Sequence, residues 1–174
     1  MMRRIVLGSL AMAGVLLNLA GAAAQDQALP DGKTVENGKY FDADGNPTYY
    51  ITDDGVVDWY TYSGFRRYHS ECHVCHGPEG LGSSYAPNLT ESLKRLDYPA
   101  FLEVVVNGRK VVSSSQESVM PAFGDNLNVM CYIDDIYDYL KARSDGVLDR
   151  GRPAKRADKP PQATEDENAC LGRT

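Results

Sequence analysis

The chain has 174 residues, 18 Lys and Arg against 24 Asp and Glu, a net charge of −6 and a hydrophobic share of 43%. That length suits one domain with its own core. The acidity excludes a nucleic-acid binder, whose phosphate contacts need clustered Lys and Arg, and is better suited to steering toward a partner with a basic face.

The first segment, MMRRIVLGSLAMAGVLLNLAGAAAQ, has a basic start at Arg3 and Arg4, an apolar run from Ile5 to Ala20, and small residues ending at Ala24. It reads as a secretory signal peptide over residues 1–24. The competing reading is a retained anchor; the run is short for a full span, so no membrane insertion is expected after cleavage. Cleavage leaves 174 − 24 = 150 residues, and since the segment carries two basic residues and no acidic one, the mature charge is 16 − 24 = −8. Export places the chain in the periplasm, where disulfides persist.

Residues 25–58 form an acidic arm, with eight acidic residues against Lys33 and Lys39. Turn signals at Pro30-Asp31-Gly32, Asp44-Gly45 and Asp54-Gly55 predict a hairpin-like or irregular surface segment. Tyr49, Tyr50 and Ile51 are read either as a short strand or as the patch that pins the arm down. Trp59 to Cys72 follows as a helix with Gly64, Tyr68 and Cys72 on one face. GPEGLGSSYAPNLT is then a loop, Tyr98 to Val106 a short helix stopped by Asn107-Gly108, and VVSSSQESVMPAFG a second loop. The strongest helix is Asn128 to Arg143, whose Val129, Tyr132, Ile133, Ile136, Tyr139 and Leu140 keep the 3-4 spacing of a buried stripe. From Ser144 onward a polar tail carries Pro160-Pro161 and a late Cys170.

The stretch His69 to Gly77, HSECHVCHG, holds all three histidines and two of the four cysteines. Three chemistries use such residues. Zinc needs four donors closing a tetrahedron; Cys72, Cys75 and His76 supply three, adjacent residues 75 and 76 cannot easily face one ion, and no second ligand pair follows. A dithiol oxidoreductase needs its pair at a helix start, where the dipole lowers a thiol pKa, whereas this pair lies at a helix end, where the dipole has the wrong sign. Cys-x-x-Cys-His is also the attachment signature of c-type haem. On that reading Cys72 and Cys75 form the thioethers and His76 is the proximal iron ligand. Outside the signal peptide the methionines are Met120 and Met130; Met130 sits inside a helix as packing, so Met120, stiffened by Pro121, takes the distal position. His69 and His73 are read as solvent-facing bystanders. Trp59 and the tyrosines at 60, 62 and 68 are read as packing, and Val104 to Val106 as core against the porphyrin.

From Gly64 to Arg143 the order of these signals resembles a small class I cytochrome c. The pattern Gly64, Tyr68, Cys72 is similar to that family's N-terminal helix, IYDYLKA to the helix that crosses it, Met120-Pro121-Ala122-Phe123-Gly124 to its distal loop, and Ala86-Pro87-Asn88-Leu89 to the loop whose proline carbonyl holds the haem-ligand imidazole. The resemblance implies an all-α class I fold around one covalent haem c over residues 59–143, flanked by the arm at 25–58 and the tail at 144–174. Cys131 and Cys170 then read as a disulfide tying the tail back; two free thiols are the alternative. A GRP step at Gly151 to Pro153 and a terminal ACLG add a resemblance to the four-cysteine cytochromes of methanol metabolism, cytochrome c(L)-like and most like the variety paired with a lanthanide enzyme. That resemblance implies an electron carrier and not an enzyme, with a PQQ-dependent methanol dehydrogenase as donor and a smaller class I cytochrome c as acceptor. A carrier for another periplasmic quinoprotein or oxidase is the alternative; a haem peroxidase would need an open iron site or a second haem. Asp42, Asp44, Asp53 and Asp54 are candidates for docking a basic partner.

Overall fold

The computed structural model describes Leu29, residues 31–112 and residues 117–173; the signal peptide expected over residues 1–24 lies outside the described residues. The fold is mostly helical, with small sheets where the sequence reading placed irregular chain.

The arm is more regular than expected. Strands β1 (Thr34–Glu36), β2 (Lys39–Phe41) and β3 (Pro47–Thr48) form an antiparallel sheet in the order β1-β2-β3. Asn37 and Gly38 both have positive φ, 51° and 82°, as a two-residue hairpin turn that matches strand twist requires. Residues 49–51 serve mainly as a pin: Tyr50 stacks on Tyr40 with ring centroids 4.6 Å apart, the Tyr49 hydroxyl donates to Asp145 at 3.0 Å, and Ile51 makes a single bridge to Val57. Lys39 reaches Asp134.

Helix α1 (Trp59–Glu71) starts from Asp58, whose buried carboxylate accepts from the Thr61 amide at 3.0 Å and from the Tyr50 amide at 2.8 Å. One side chain thus caps the helix and fastens the arm to it. Helix α2 (His73–His76), a single turn of 3-10 helix at Pro78–Gly80 and helix α3 (Leu89–Ser92) lead to α4 (Tyr98–Asn107). Asp97 caps α4 by accepting from the Ala100 amide at 2.9 Å, and Pro99 sits in its first turn.

Two elements differ from the sequence expectation. The second loop contains a hairpin: β5 (Arg109–Val112) pairs antiparallel with β6 (Glu117–Met120), from Arg109 opposite Met120 to Val112 opposite Glu117. The β-branched Val111, Val112 and Val119 favour strand, a signal hidden by the serine run between them. The long helix from Asn128 to Arg143 is broken into α5 (Leu127–Met130) and α6 (Ile133–Ser144). Tyr132 leaves the helical path at φ −136° and puts its ring under the Arg67 guanidinium, 3.5 Å from the centroid.

Helix α6 crosses α1 at the centre of the molecule. Tyr68, Tyr139, Ile136 and Leu140 are almost completely buried there, and Gly64 lets the two backbones approach. The tail is also more ordered than read. Strand β7 (Lys155–Arg156) runs parallel to β4 (Val56–Val57), and helix α7 (Pro161–Cys170) ends at the Cys131–Cys170 disulfide, with Cα atoms 5.8 Å apart. Arg156 and Lys159 lie over the Trp59 ring at 5.1 and 5.6 Å, so the tail is held to the start of α1 by cation–aromatic contact. Among the described residues no helix is long and apolar enough to cross a membrane.

Candidate functional site

Cys72 closes α1, its amide donating to Tyr68 at 2.9 Å, and also begins α2. Residues four apart share a helix face, so Cys72 and His76 point into one cavity while Cys75 is exposed and outside its walls. The chain turns away after His76 at Gly77, φ +71°, where a Cβ would strike the Gly82 carbonyl. The buried Tyr68 hydroxyl locks that reversal, donating to the Gly77 carbonyl at 2.5 Å and accepting from the Gly80 amide at 2.9 Å. Burial pushes this hydroxyl's pKa up.

His76 is buried, and its Nδ1 lies 3.0 Å from the Pro87 carbonyl oxygen. A carbonyl only accepts, so Nδ1 carries the proton and Nε2 keeps its lone pair for a metal. Pro87 is held in place by the next residue, since Asn88 caps α3 by accepting from the Glu91 amide at 3.2 Å and from the Thr90 hydroxyl at 2.7 Å.

The cavity is lined almost wholly by apolar side chains, as ligand pockets commonly are. Its walls are Leu89, Leu93 and Leu96, then Phe101, Val104 and Val105 of α4, and Ile133, Ile136 and Leu140 of α6. Val106 instead supports the next loop. Met120 enters from the end of β6 together with Phe123. That loop is fastened to α4 by the Phe123 amide donating to Val105 at 3.0 Å and the Gly124 amide donating to Val106 at 3.1 Å. Gly108, φ +72°, allows the close approach, since a Cβ there would come within 2.7 Å of the Ala122 amide nitrogen.

The sequence reading did not single out Leu93, Leu96, Phe101 or Phe123 as cavity wall. Leu89, Leu93 and Leu96 stand four and three residues apart in NLTESLKRL, the amphipathic spacing that would have found them. Cys131 and Cys170 are bonded to each other, away from the cavity wall. In the arm, Asp42 accepts from the amides of Asp44 and Asn46 at 2.9 and 2.8 Å and so shapes its own turn. Asp54 pairs with Thr52 and, at 3.6 Å, with Lys155.

Of the three chemistries for the cysteine–histidine cluster, two do not suit this geometry. Among the described residues no group of three or more His, Cys, Asp or Glu side chains can hold a metal ion. Burial pushes the Cys72 thiol up to about 12, the opposite of the lowered pKa that a redox-active thiolate needs. The donor set does fit a covalently held haem: a thiol, an imidazole with a free nitrogen and a thioether converge on an otherwise apolar pocket, with a second thiol nearby. His69 and His73, read as solvent-facing, are both half-buried. The His69 ring lies 4.4 Å from Phe65 and its Nδ1 2.8 Å from the Phe65 carbonyl oxygen.

Comparison with known proteins gives the same class. The family described as cytochrome c oxidase, cbb3-type, subunit III, matches residues 61–140. Cytochrome c-553I of Paracoccus denitrificans is 51% identical over 148 residues, covering 82% of this chain and 66% of that protein, so the match spans just under two thirds of that relative's length. Cytochrome c-555 of Methylococcus capsulatus is 44% identical over 100 residues, covering 57% of this chain and 75% of that protein. The crystal structure of the c-type cytochrome XoxG from Methylobacterium extorquens AM1 is similar with a TM-score of 0.73 and 56% identity, covering 79% of this chain and 84% of that one. With the fold and the cavity described above, these similarities establish that the chain belongs to the c-type cytochromes, electron-transfer proteins that carry haem c covalently on a class I fold.

Proposed function

We propose that this chain is a periplasmic monohaem cytochrome that accepts electrons from a PQQ-dependent methanol dehydrogenase and passes them to a smaller class I cytochrome c. The observation that carries the reading is the convergence of Cys72, His76 and Met120 on one apolar cavity. Cys72 and Cys75 would hold the haem through thioethers, and His76 Nε2 and Met120 Sδ would ligate its iron. When bound, the haem iron supplies one-electron chemistry by cycling between its ferric and ferrous states. Pro87 fixes the imidazole tautomer and raises its basicity. With His76 and Met120 both given to the iron, no ligand position would be left for a substrate, which suits a carrier. The leucine, valine and phenylalanine walls keep water out, and a dry pocket favours the less charged, reduced state.

Electron exchange needs a docking face. Val74 is 80% exposed and Tyr85 77% exposed, both tied to the exposed Cys75: Val74 precedes it, and Ser83, which donates to the Cys75 carbonyl, accepts from the Tyr85 amide. Val119, 64% exposed, adjoins Met120. An apolar rim of this kind suits a transient interface, and the acidic arm at 25–58 adds a field for a basic partner. Residues 144–174 form the tail that the disulfide ties to the domain at 59–143. Methanol as the source of electrons is supported by the four-cysteine pattern and by relatives in Methylobacterium and Methylococcus. The second reading is a carrier for another periplasmic quinoprotein dehydrogenase or oxidase.

The test mixes oxidised holoprotein with methanol dehydrogenase, calcium or lanthanide form, plus methanol, and follows the reduced haem absorption. Fast reduction that slows with added salt is expected with one of the two enzymes. Absence of reduction by both, with a normal c-type spectrum, would remove methanol and leave the second reading.

A further inference from the structure

We propose that His69 and His73 form a second metal site, a surface chelate for a borderline divalent transition-metal ion, with Cu²⁺ held more tightly than Ni²⁺ or Zn²⁺. Neither histidine lines the haem cavity, and the proposal does not depend on which dehydrogenase the protein serves.

The backbone makes the pair. Helix α1 ends at Glu71 and α2 begins at His73, while Cys72 between them stays near helical geometry at φ −111° and ψ −30°, with its amide on Tyr68 and the His76 amide on Cys72 at 3.0 Å. His69 and His73 are therefore four residues apart on one face, the spacing by which paired helix histidines bind a single ion. Their ring centroids are 5.3 Å apart. Metal–nitrogen bonds of about 2.0–2.1 Å and a ring centroid roughly 1.1 Å behind each nitrogen give centroids about 4.5 Å apart for a square-planar angle and about 5 Å apart for a tetrahedral one. The two rings already stand at chelating distance.

One ligand is oriented in advance. His69 Nδ1 lies 2.8 Å from the Phe65 carbonyl oxygen, so Nδ1 carries the proton and Nε2 is free. A backbone carbonyl behind the far nitrogen is the usual support of a metal-binding imidazole, and His76 has the same arrangement with Pro87. The His69 ring is also wedged against Phe65, at 4.4 Å, and Tyr68, at 5.2 Å, which lowers the entropy lost on binding. His73 makes no hydrogen bond through its ring among the described residues, and it is half-buried. His69 lies in the last turn of the 13-residue α1, where the helix dipole favours a cation. Imidazole donors select Cu²⁺, Ni²⁺ and Zn²⁺ over Ca²⁺ and Mg²⁺, and copper heads the order of affinities. Two protein ligands leave the remaining positions to water, so the ion exchanges readily.

The experiment uses purified holoprotein, in which the haem occupies Cys72, Cys75 and His76. Cu²⁺ is titrated and the copper EPR signal recorded, with Zn²⁺ titrated by calorimetry. The expected result is one equivalent of copper coupled to two imidazole nitrogens, with His69→Gln and His73→Gln each weakening binding roughly 10-fold or more. His73→Gln replaces a side chain outside the buried core, so its result stands even if His69→Gln perturbs folding. Copper bound equally well by His73→Gln, coupling to a single nitrogen, or no stoichiometric uptake by the unsubstituted protein would overturn the proposal.

Discussion

Gly64→Ala tests the helix crossing that supports the pocket. A Cβ at Gly64 would overlap the Asp135 carbonyl oxygen and stand 2.9 Å from Tyr139 Cβ, where carbon atoms prefer about 3.5–4.0 Å. The obstruction is largely backbone, which no change of rotamer removes: the Asp135 oxygen would lie 1.7 Å from the added carbon, so α1 and α6 must separate by about 1.5 Å to restore a contact of about 3.3 Å. A gap of that size forfeits more than about half of the attraction between facing atoms. Tyr68, Tyr139 and Ile136, almost fully buried at the crossing, each contribute about 1.5–3 kcal/mol by burial, so the loss is at least roughly 2–5 kcal/mol. Alanine returns up to about 1 kcal/mol through helix propensity, leaving a net destabilisation of about 1–4 kcal/mol or more. At about 2–4 °C per kcal/mol for a chain of this size, the Tm falls by roughly 2–16 °C or more. Thermal unfolding of the two holoproteins by far-UV circular dichroism measures it. A variant as stable as the parent or more so would refute the crossing geometry.

Other perturbations separate the parts of the structure. Replacing both Cys131 and Cys170 by Ser opens a loop with a sequence separation of 39, an entropic loss of about 3–4 kcal/mol; the Tm falls while the haem spectrum stays unchanged, and an unaltered Tm would count against the tie. Tyr68→Phe leaves the Gly80 amide and the Gly77 carbonyl without their buried partner, costing about 1–3 kcal/mol and speeding hydrogen exchange at the Gly80 amide; unchanged exchange there would refute the lock. Burial pushes Asp135 up to about 7, above its unfolded value of about 3.9, so its contribution to stability is fully present below the unfolded pKa and is lost as pH rises through about 7. Asp135→Asn is therefore expected to match the parent near pH 4 and to exceed it increasingly up to pH 8, whereas an offset constant across that range in Tm would refute the assignment. Met120→Ala lowers the reduction potential and admits an exogenous axial ligand such as imidazole; a potential unmoved by the change would exclude Met120 as the distal ligand.

The parts of the fold visible in the sequence were those written in local periodicity. Gly64, Tyr68 and Cys72 at intervals of four, and Tyr98 to Val106 closed by Asn107-Gly108, correspond to α1 and α4 within a few residues. Cys72, His76 and Met120, which meet at one cavity, stood out in the sequence through the Cys-x-x-Cys-His spacing and the scarcity of methionine. What escaped depended on distant partners. The hairpin β5–β6 exists through pairing that a serine run obscures. The break at Tyr132 goes with the Arg67 guanidinium resting on its ring, and 65 residues of sequence separate the two. His69 looked like a bystander because only the packed structure sets it against Phe65 and opposite His73.

Helix α6 shows why flanking segments can be added to such a domain without disturbing its chemistry. Ile133, Ile136 and Leu140 line the cavity, while Asp134 meets Lys39 of the arm, and Asp135 and Asp138 are buried away from it. Burial raises Asp138 well above the ordinary carboxylate range, with Asp58 and Asp135 adding like charge. Such a seam lowers stability at neutral pH, and its tolerance implies that the arm is braced from elsewhere. The bracing is visible in the Tyr40–Tyr50 stack, the Asp58 cap, the parallel pairing of β4 with β7, and the cations over Trp59. Arm and tail thus converge on the start of α1 and the outer face of α6, and Arg150 and Gly151 also hold the tail to Glu79, two residues beyond Gly77.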